Sequence, residues 1–152
     1  MKAQFAIGPS CAVAPSAVEM REAVSIGPVL IVDWREDELA RLVRIVRATG
    51  YQAASASCFE DAQRMLAALA PSVLLTSVKL GRYNGLHLVV RARMSRPELS
   101  AIVTHHEFDA VLEAEANRQD ARFVVQPCSP DVLMGHVNAA ANAAANARRF
   151  AR

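Results

Sequence analysis

The sequence predicts an α/β protein: a doubly wound, five-stranded parallel sheet followed by an extended C-terminal helix. Three observations carry this. Short apolar runs alternate five times with segments of helical periodicity, the pattern of a parallel sheet whose strands are joined by crossover helices. The runs Val29-Leu30-Ile31-Val32 and Val73-Leu74-Leu75 lack the polar alternation of a half-exposed strand, so they read as strands buried on both faces. From Ser129-Pro130-Asp131 to Arg152 the chain meets no breaker stronger than Gly135.

The first strand closes on Asp33 and is followed at once by Arg35-Glu36-Asp37-Glu38. Leu39, Leu42, Val43 and Val46 then recur at helical spacing, and Thr49-Gly50 stops the helix with the residue that tolerates a left-handed turn. The second unit places a strand at 51–57 and a helix at 59–70, the third a strand at 73–78 and a helix at 86–94. The fourth places them at 101–104 and 109–117, and the fifth has a strand at 123–125 and a helix from 130. Ser129 suits the cap of that last helix and Pro130 its first turn. Its length of roughly 30 Å exceeds what the sheet alone needs. Ligands and chemistry gather at the carboxy ends of strands in such sheets. Those ends carry Asp33, Ser77, Thr104 and Gln126, four positions expected to converge.

Over residues 28–138 the chain resembles the receiver domain of bacterial two-component response regulators, the CheY-like family with a flavodoxin-like (βα)5 fold. The stretches that carry the resemblance are Val29-Leu30-Ile31-Val32-Asp33, Pro71-Ser72-Val73-Leu74-Leu75-Thr76-Ser77-Val78-Lys79-Leu80, Asn84-Gly85-Leu86 and Phe123-Val124-Val125-Gln126-Pro127. Each is weak alone; their order and spacing are specific. The resemblance implies a phosphoryl acceptor at the end of the third strand, where this chain has Ser77 instead of aspartate. It implies an acidic pair for magnesium after the first strand, which here reads Asp33-Trp34, and a lysine before a proline on the fifth strand, which here is Gln126 before Pro127. The position of the family's hydroxyl falls on Thr104, or on His105 after a one-residue shift, and that of its rotating switch aromatic on Phe123. The expectation is a degenerate pseudo-receiver that lacks the phospho-acceptor aspartate.

Physical chemistry says why these substitutions matter. An acyl phosphate needs a carboxylate nucleophile ionised at neutral pH, whereas a serine hydroxyl needs an adjacent general base, and no histidine is expected beside Ser77. Magnesium prefers several oxygen ligands in octahedral array; Asp33 beside an indole is a poor set. Trp34 is expected to lean across the pocket mouth and fill it, with Arg35 neutralising Asp33. Exchanging lysine for Gln126 removes a charge that would stabilise a transferring phosphoryl group. No catalytic residue, cofactor or metal is expected.

The 152 residues, 53% hydrophobic, suit one ordinary, stand-alone domain. Residues 1–27 read as a flexible arm with a short helix at 17–24, residues 28–138 as the receiver-like domain, and 139–152 as an Ala/Asn-rich extension of the last helix. No signal-peptide pattern and no apolar stretch of membrane-spanning length is present. Cys11, Cys58 and Cys128 have no metal-like spacing and read as reduced thiols, so a cytoplasmic location is expected. A net charge of +2 with 21% charged residues demands neither a nucleic-acid nor a membrane partner.

In the extension, Asn138, Asn142 and Asn146 recur every fourth residue among alanines, and Arg148, Arg149 and Arg152 suit the helix C-terminus. An isolated alanine-rich helix is only marginally stable in water. Two readings stay open: a solvated, partly frayed tail, or an association face built from Phe108, Val111, Leu112, Phe123, Val137, Ala141 and Ala144. By the resemblance, the partner of such a face is another signalling protein (kinase, regulator or output protein) or a second copy in a homodimer. His105-His106-Glu107 reads as a loop, because adjacent side chains should point apart; His87 and His136 read as helix-surface residues, and Arg91, Arg93 and Arg96 as a solvated face. The segment 81–85 reads as a turn-rich loop. Two alternatives to a phosphorylation-independent interaction protein are a switch through modification of Ser77 or through Asp33 as an off-centre acceptor, and a nucleic-acid-associated regulator using the basic tail. Trp34 and Gln126 argue against the first, the modest charge against the second.

Overall fold

The computed structural model describes residues 27–150. The arm read at 1–27, with its helix at 17–24 and Cys11, lies outside the described residues except for Gly27, as do residues 151–152. Element order is β1 (Val29–Val32), α1 (Glu36–Ala48), β2 (Ala53–Ala56), α2 (Phe59–Leu69), β3 (Val73–Ser77), β4 (Lys79–Leu80), β5 (Tyr83–Asn84), α3 (Gly85–Ser95), β6 (Ser100–His105), α4 (Ala110–Arg118), β7 (Ala121–Val125) and α5 (Pro130–Phe150). The strands β2-β1-β3-β6-β7 form one five-stranded sheet in that order, every neighbour parallel.

Each buried strand serves two cores. Leu30, Val32, Leu74, Ala101 and Val103 point to the layer filled by Phe59, Ala62 and Leu66 of α2, Leu88, Val89 and Ala92 of α3 and Ala116 of α4. Val29, Ile31, Val73, Leu75, Ile102 and Val124 point to the layer filled by Leu42 and Val46 of α1 and Leu133, Met134 and Val137 of α5. Period-two alternation within continuous apolar runs is what a sheet covered on both faces requires.

The helix starts and stops have local causes. Glu36, Asp37 and Glu38 stand in the first turn of α1 and Arg47 in its last, complementing the helix dipole, and Gly50 follows at φ 99°. Asp109 caps α4 by accepting from Val111 N–H and Leu112 N–H at 2.9 and 3.1 Å. Asn84 caps α3, accepting from Leu86 N–H at 2.7 Å. Gly85 opens α3 because a Cβ there would lie 2.0 Å from the Ser77 carbonyl oxygen. That close approach seats the start of α3 against the end of β3.

Two expectations change. The segment read as a loop contains a small antiparallel pairing, Lys79 with Asn84 and Leu80 with Tyr83, turned by Gly81 at φ 66° and anchored by stacking of Tyr83 on Phe59 at 4.6 Å. The C-terminal helix runs for 21 residues, and its Ala-rich part packs on its own domain. Val137, Ala141 and Ala144, assigned from sequence to an association face, are buried at 1% exposure or less. Their spacing continues the stripe of Leu133, Met134 and Ala140, and small side chains let the helix pass close to the sheet. Arg148 donates to the hydroxyl of Ser72, which also accepts from Gly27 N–H at 2.7 Å, so the far end of α5 is tied beneath the amino edge of the sheet. Asn138, Asn142 and Asn146 lie on the exposed side of the helix, where Asn138 accepts from the Tyr51 hydroxyl at 2.6 Å.

Candidate functional site

The parallel register brings the strand ends together. Ser77 pairs with Thr104, and His105 with Val125, while Asp33 follows β1 directly. Asp33, Thr76, Ser77, Thr104 and Gln126 are all buried. This is the carboxy edge of the sheet, where side chains at strand ends meet.

Asp33 has its partner in the next turn of chain. Its Oδ1 accepts from Arg35 N–H at 2.9 Å and from Nε at 3.4 Å, and Oδ2 lies 3.5 Å from Nη2. A buried carboxylate is tolerated only with such compensation. The expected pairing with Arg35 is therefore present. On the neighbouring strand the Thr76 hydroxyl donates to the Ser77 carbonyl at 3.1 Å.

At β7, Gln126 N–H donates to the His105 carbonyl at 2.7 Å, and Gln126 Oε1 accepts from Cys128 N–H at 3.1 Å. Its Nε2 is buried with no hydrogen-bond partner among the described residues. The peptide bond to Pro127 is cis. Cys128 is free, and its thiol is pushed up by burial, opposed by Arg41.

A pocket of about 80 Å³ opens at this edge, lined by Trp34, Arg35, Ser77, Lys79, Thr104, His105 and His106. It brings together the sequence-predicted Trp34, Ser77 and Thr104. Asp33 and Gln126 do not line it, and none of the seven lining residues is a carboxylate. Trp34 does not fill the mouth as expected: it borders the pocket and stays 52% exposed.

Phe123 is partly buried and meets Phe108 edge-on, centroids 6.4 Å apart at 86°. Phe108, Val111 and Val125 are exposed at 62, 75 and 38%, and Leu112 is partly buried against the core. Of the face expected from sequence, Phe108 and Val111 are open to solvent, Leu112 and Phe123 are partly buried, and the α5 residues are core.

Three further placements differ from the sequence reading. His105, His106 and Glu107 do not diverge; one ligand atom from each lies within 4.8 Å of the others. His105 is held below the usual imidazole range by burial first and by the neighbouring His106 next. Arg93 is no solvated surface arginine: it donates to the carbonyls of Gln119 and of Asp120, the latter at 2.9 Å, closing the end of α4. His136 is partly buried, and burial followed by Arg122 lowers its pKa. His87 is exposed, as expected.

The sheet order, two-sided helical cover and strand-end pocket define a CheY-like receiver fold. Comparison with known proteins agrees on this architecture. A receiver domain protein (CheY-like) from Methanospirillum hungatei superposes with a TM-score of 0.73 at 18% identity, covering 78% of this chain and 96% of that one. The beryllofluoride-activated NtrC4 receiver domain, solved as a dimer, gives 0.73 at 20% identity over 77% of this chain and 98% of that one. In sequence, the alginate biosynthesis transcriptional regulatory protein AlgB of Pseudomonas aeruginosa is 28% identical over 110 residues, 70% of this chain and 24% of that protein. The chain thus spans about a quarter of the length of the curated relatives it matches. No family model matches the sequence. Among the described residues no helix is long and apolar enough to cross a membrane.

Proposed function

We propose that this chain is a receiver-like signalling module of a two-component or related pathway, acting by protein association and not by aspartyl phosphorylation. The observation that carries the reading is the β3 end: the buried Ser77 lines the pocket where the receiver resemblance places the acceptor carboxylate. The engagement of Asp33 by Arg35 supports it, because a carboxylate already bonded to a guanidinium is a poor magnesium ligand. So does Gln126, a neutral amide where the resemblance expects a cation to meet a phosphoryl oxygen. The pocket then serves as structure, without turnover.

Output falls to the α4–β7 face, where Phe108 and Val111 stand exposed beside Phe123. Large exposed apolar side chains on adjoining elements suit a protein contact. The partner is a kinase, another regulator, an output protein or a second copy, in the cytoplasm; the NtrC4 receiver domain is itself a dimer. Intact mass after incubation with magnesium and a small-molecule phosphodonor tests the reading: the mass stays that of the unmodified chain. A stable phosphoryl adduct mapped to Ser77 or Asp33 overturns it.

A further inference from the structure

The loop after β6 carries side chains that the receiver-like reading leaves unused. β6 ends at His105, and the chain bends at His106 and Glu107 before Asp109 caps α4. In a continuing strand, successive side chains point to opposite faces. The bend cancels that alternation and sets the two imidazoles side by side, centroids 4.4 Å apart and tilted by 53°. His106 Nε2 lies 3.8 Å from Glu107 Oε1, and the three residues together place their ligand atoms within 4.8 Å. Two ligands of one tetrahedral zinc, at bonds of about 2.0–2.2 Å, stand roughly 3.4 Å apart. His106 and Glu107 are 54 and 72% exposed at their side chains, so rotation of these two closes the set onto the better-fixed His105.

We propose that His105, His106 and Glu107 bind a divalent transition metal of the zinc class at the mouth of the carboxy-edge pocket. Two neutral imidazoles and one carboxylate match borderline metals and not magnesium or calcium, which prefer all-oxygen shells. Three protein ligands leave a fourth position for water or an exogenous donor. Glu107 and the nearby Asp109 favour a cation here, while Lys79 on the hairpin opposes it, which points to a reversible site of moderate affinity. The inference stands whether or not the pocket takes a phosphoryl group.

Isothermal titration of the full chain with zinc chloride, and separately with magnesium chloride, tests it, with amide NMR shifts recorded in parallel. Zinc binds one per chain with shifts centred on 104–109, and magnesium at the same concentration produces none. Outer-shell partners of a metal are worth about 10–100-fold in affinity, so losing a ligand in His106→Ala or in Glu107→Gln weakens zinc binding by more than about tenfold. Both residues are exposed, and these variants fold. Absence of saturable zinc binding overturns the proposal. Wild-type affinity in either variant overturns it too, and moves the zinc to thiols or imidazoles elsewhere.

Discussion

The carboxy-edge pocket and the α4–β7 face share the 105–109 loop and are built in opposite ways. Around the pocket, at the carboxy edge of the sheet, buried polar groups find partners within the chain: Asp33 in Arg35, Thr76 in the Ser77 carbonyl, and the Gln126 backbone N–H and Oε1 in His105 and Cys128, with Gln126 Nε2 the exception. On the face, Phe108 and Val111 are apolar and uncovered. Buried polar groups with internal partners add structure and little capacity to bind; exposed apolar ones keep their burial energy in reserve for a partner.

Four substitutions or conditions break or sharpen that contrast. Val137→Asp buries a charge in the layer between α5 and the sheet and costs more than about 3 kcal/mol; chemical denaturation shows a collapsed midpoint, which separates the core side of α5 from the open face. Arg35→Ala strands the buried Asp33 carboxylate. Because Arg35 is itself 38% exposed, the cost is about 2 kcal/mol, below that of a fully buried pair, and the same denaturation series measures it.

The pH response is weaker. His105 and His136 are both lowered, each by burial first and then by a neighbouring group, His106 or Arg122. The folded chain therefore binds fewer protons than the unfolded one once pH drops below about 6.5. Stability is full above that value and declines as pH falls toward the depressed folded pKa values, and His136→Gln flattens the slope of midpoint against pH. Smallest in stability is Val111→Lys, within about 0.5 kcal/mol of wild type, yet it weakens association of the chain with its partner or itself, read by sedimentation velocity. A Val111→Lys change that destabilised the fold strongly would mean the face is covered by the chain itself.

How much was legible in the sequence follows from the physics of each element. The strands are readable because burial on both faces leaves β1 wholly apolar and confines the polar residues of β3, Thr76 and Ser77, to its carboxy end. Strand ends are readable where the apolar runs stop, which puts Asp33, Ser77, Thr104 and Gln126 at one edge, where all four are buried. The two-residue strands β4 and β5 are too short to show a period. The core side of α5 is hidden because alanine marks burial and exposure alike, so Ala141 and Ala144 carry no directional signal beyond the stripe of Leu133, Met134 and Val137. His105 and His106 escape the alternation rule because it holds only while the strand continues, and the bend at 106 lies outside it. Arg93 reaches the carbonyls of Gln119 and Asp120, a contact across 26–27 residues that no local pattern announces.

The central claim is tested most directly by the amide NMR spectrum of the full chain before and after addition of magnesium and beryllium fluoride, the tetrahedral mimic of a bound phosphoryl group. No saturable shift is expected at Ser77, Thr104 or Phe123. Saturable shifts at those three positions, propagating from the pocket to Phe108 and α4, would contradict it and restore a phosphoryl-operated switch.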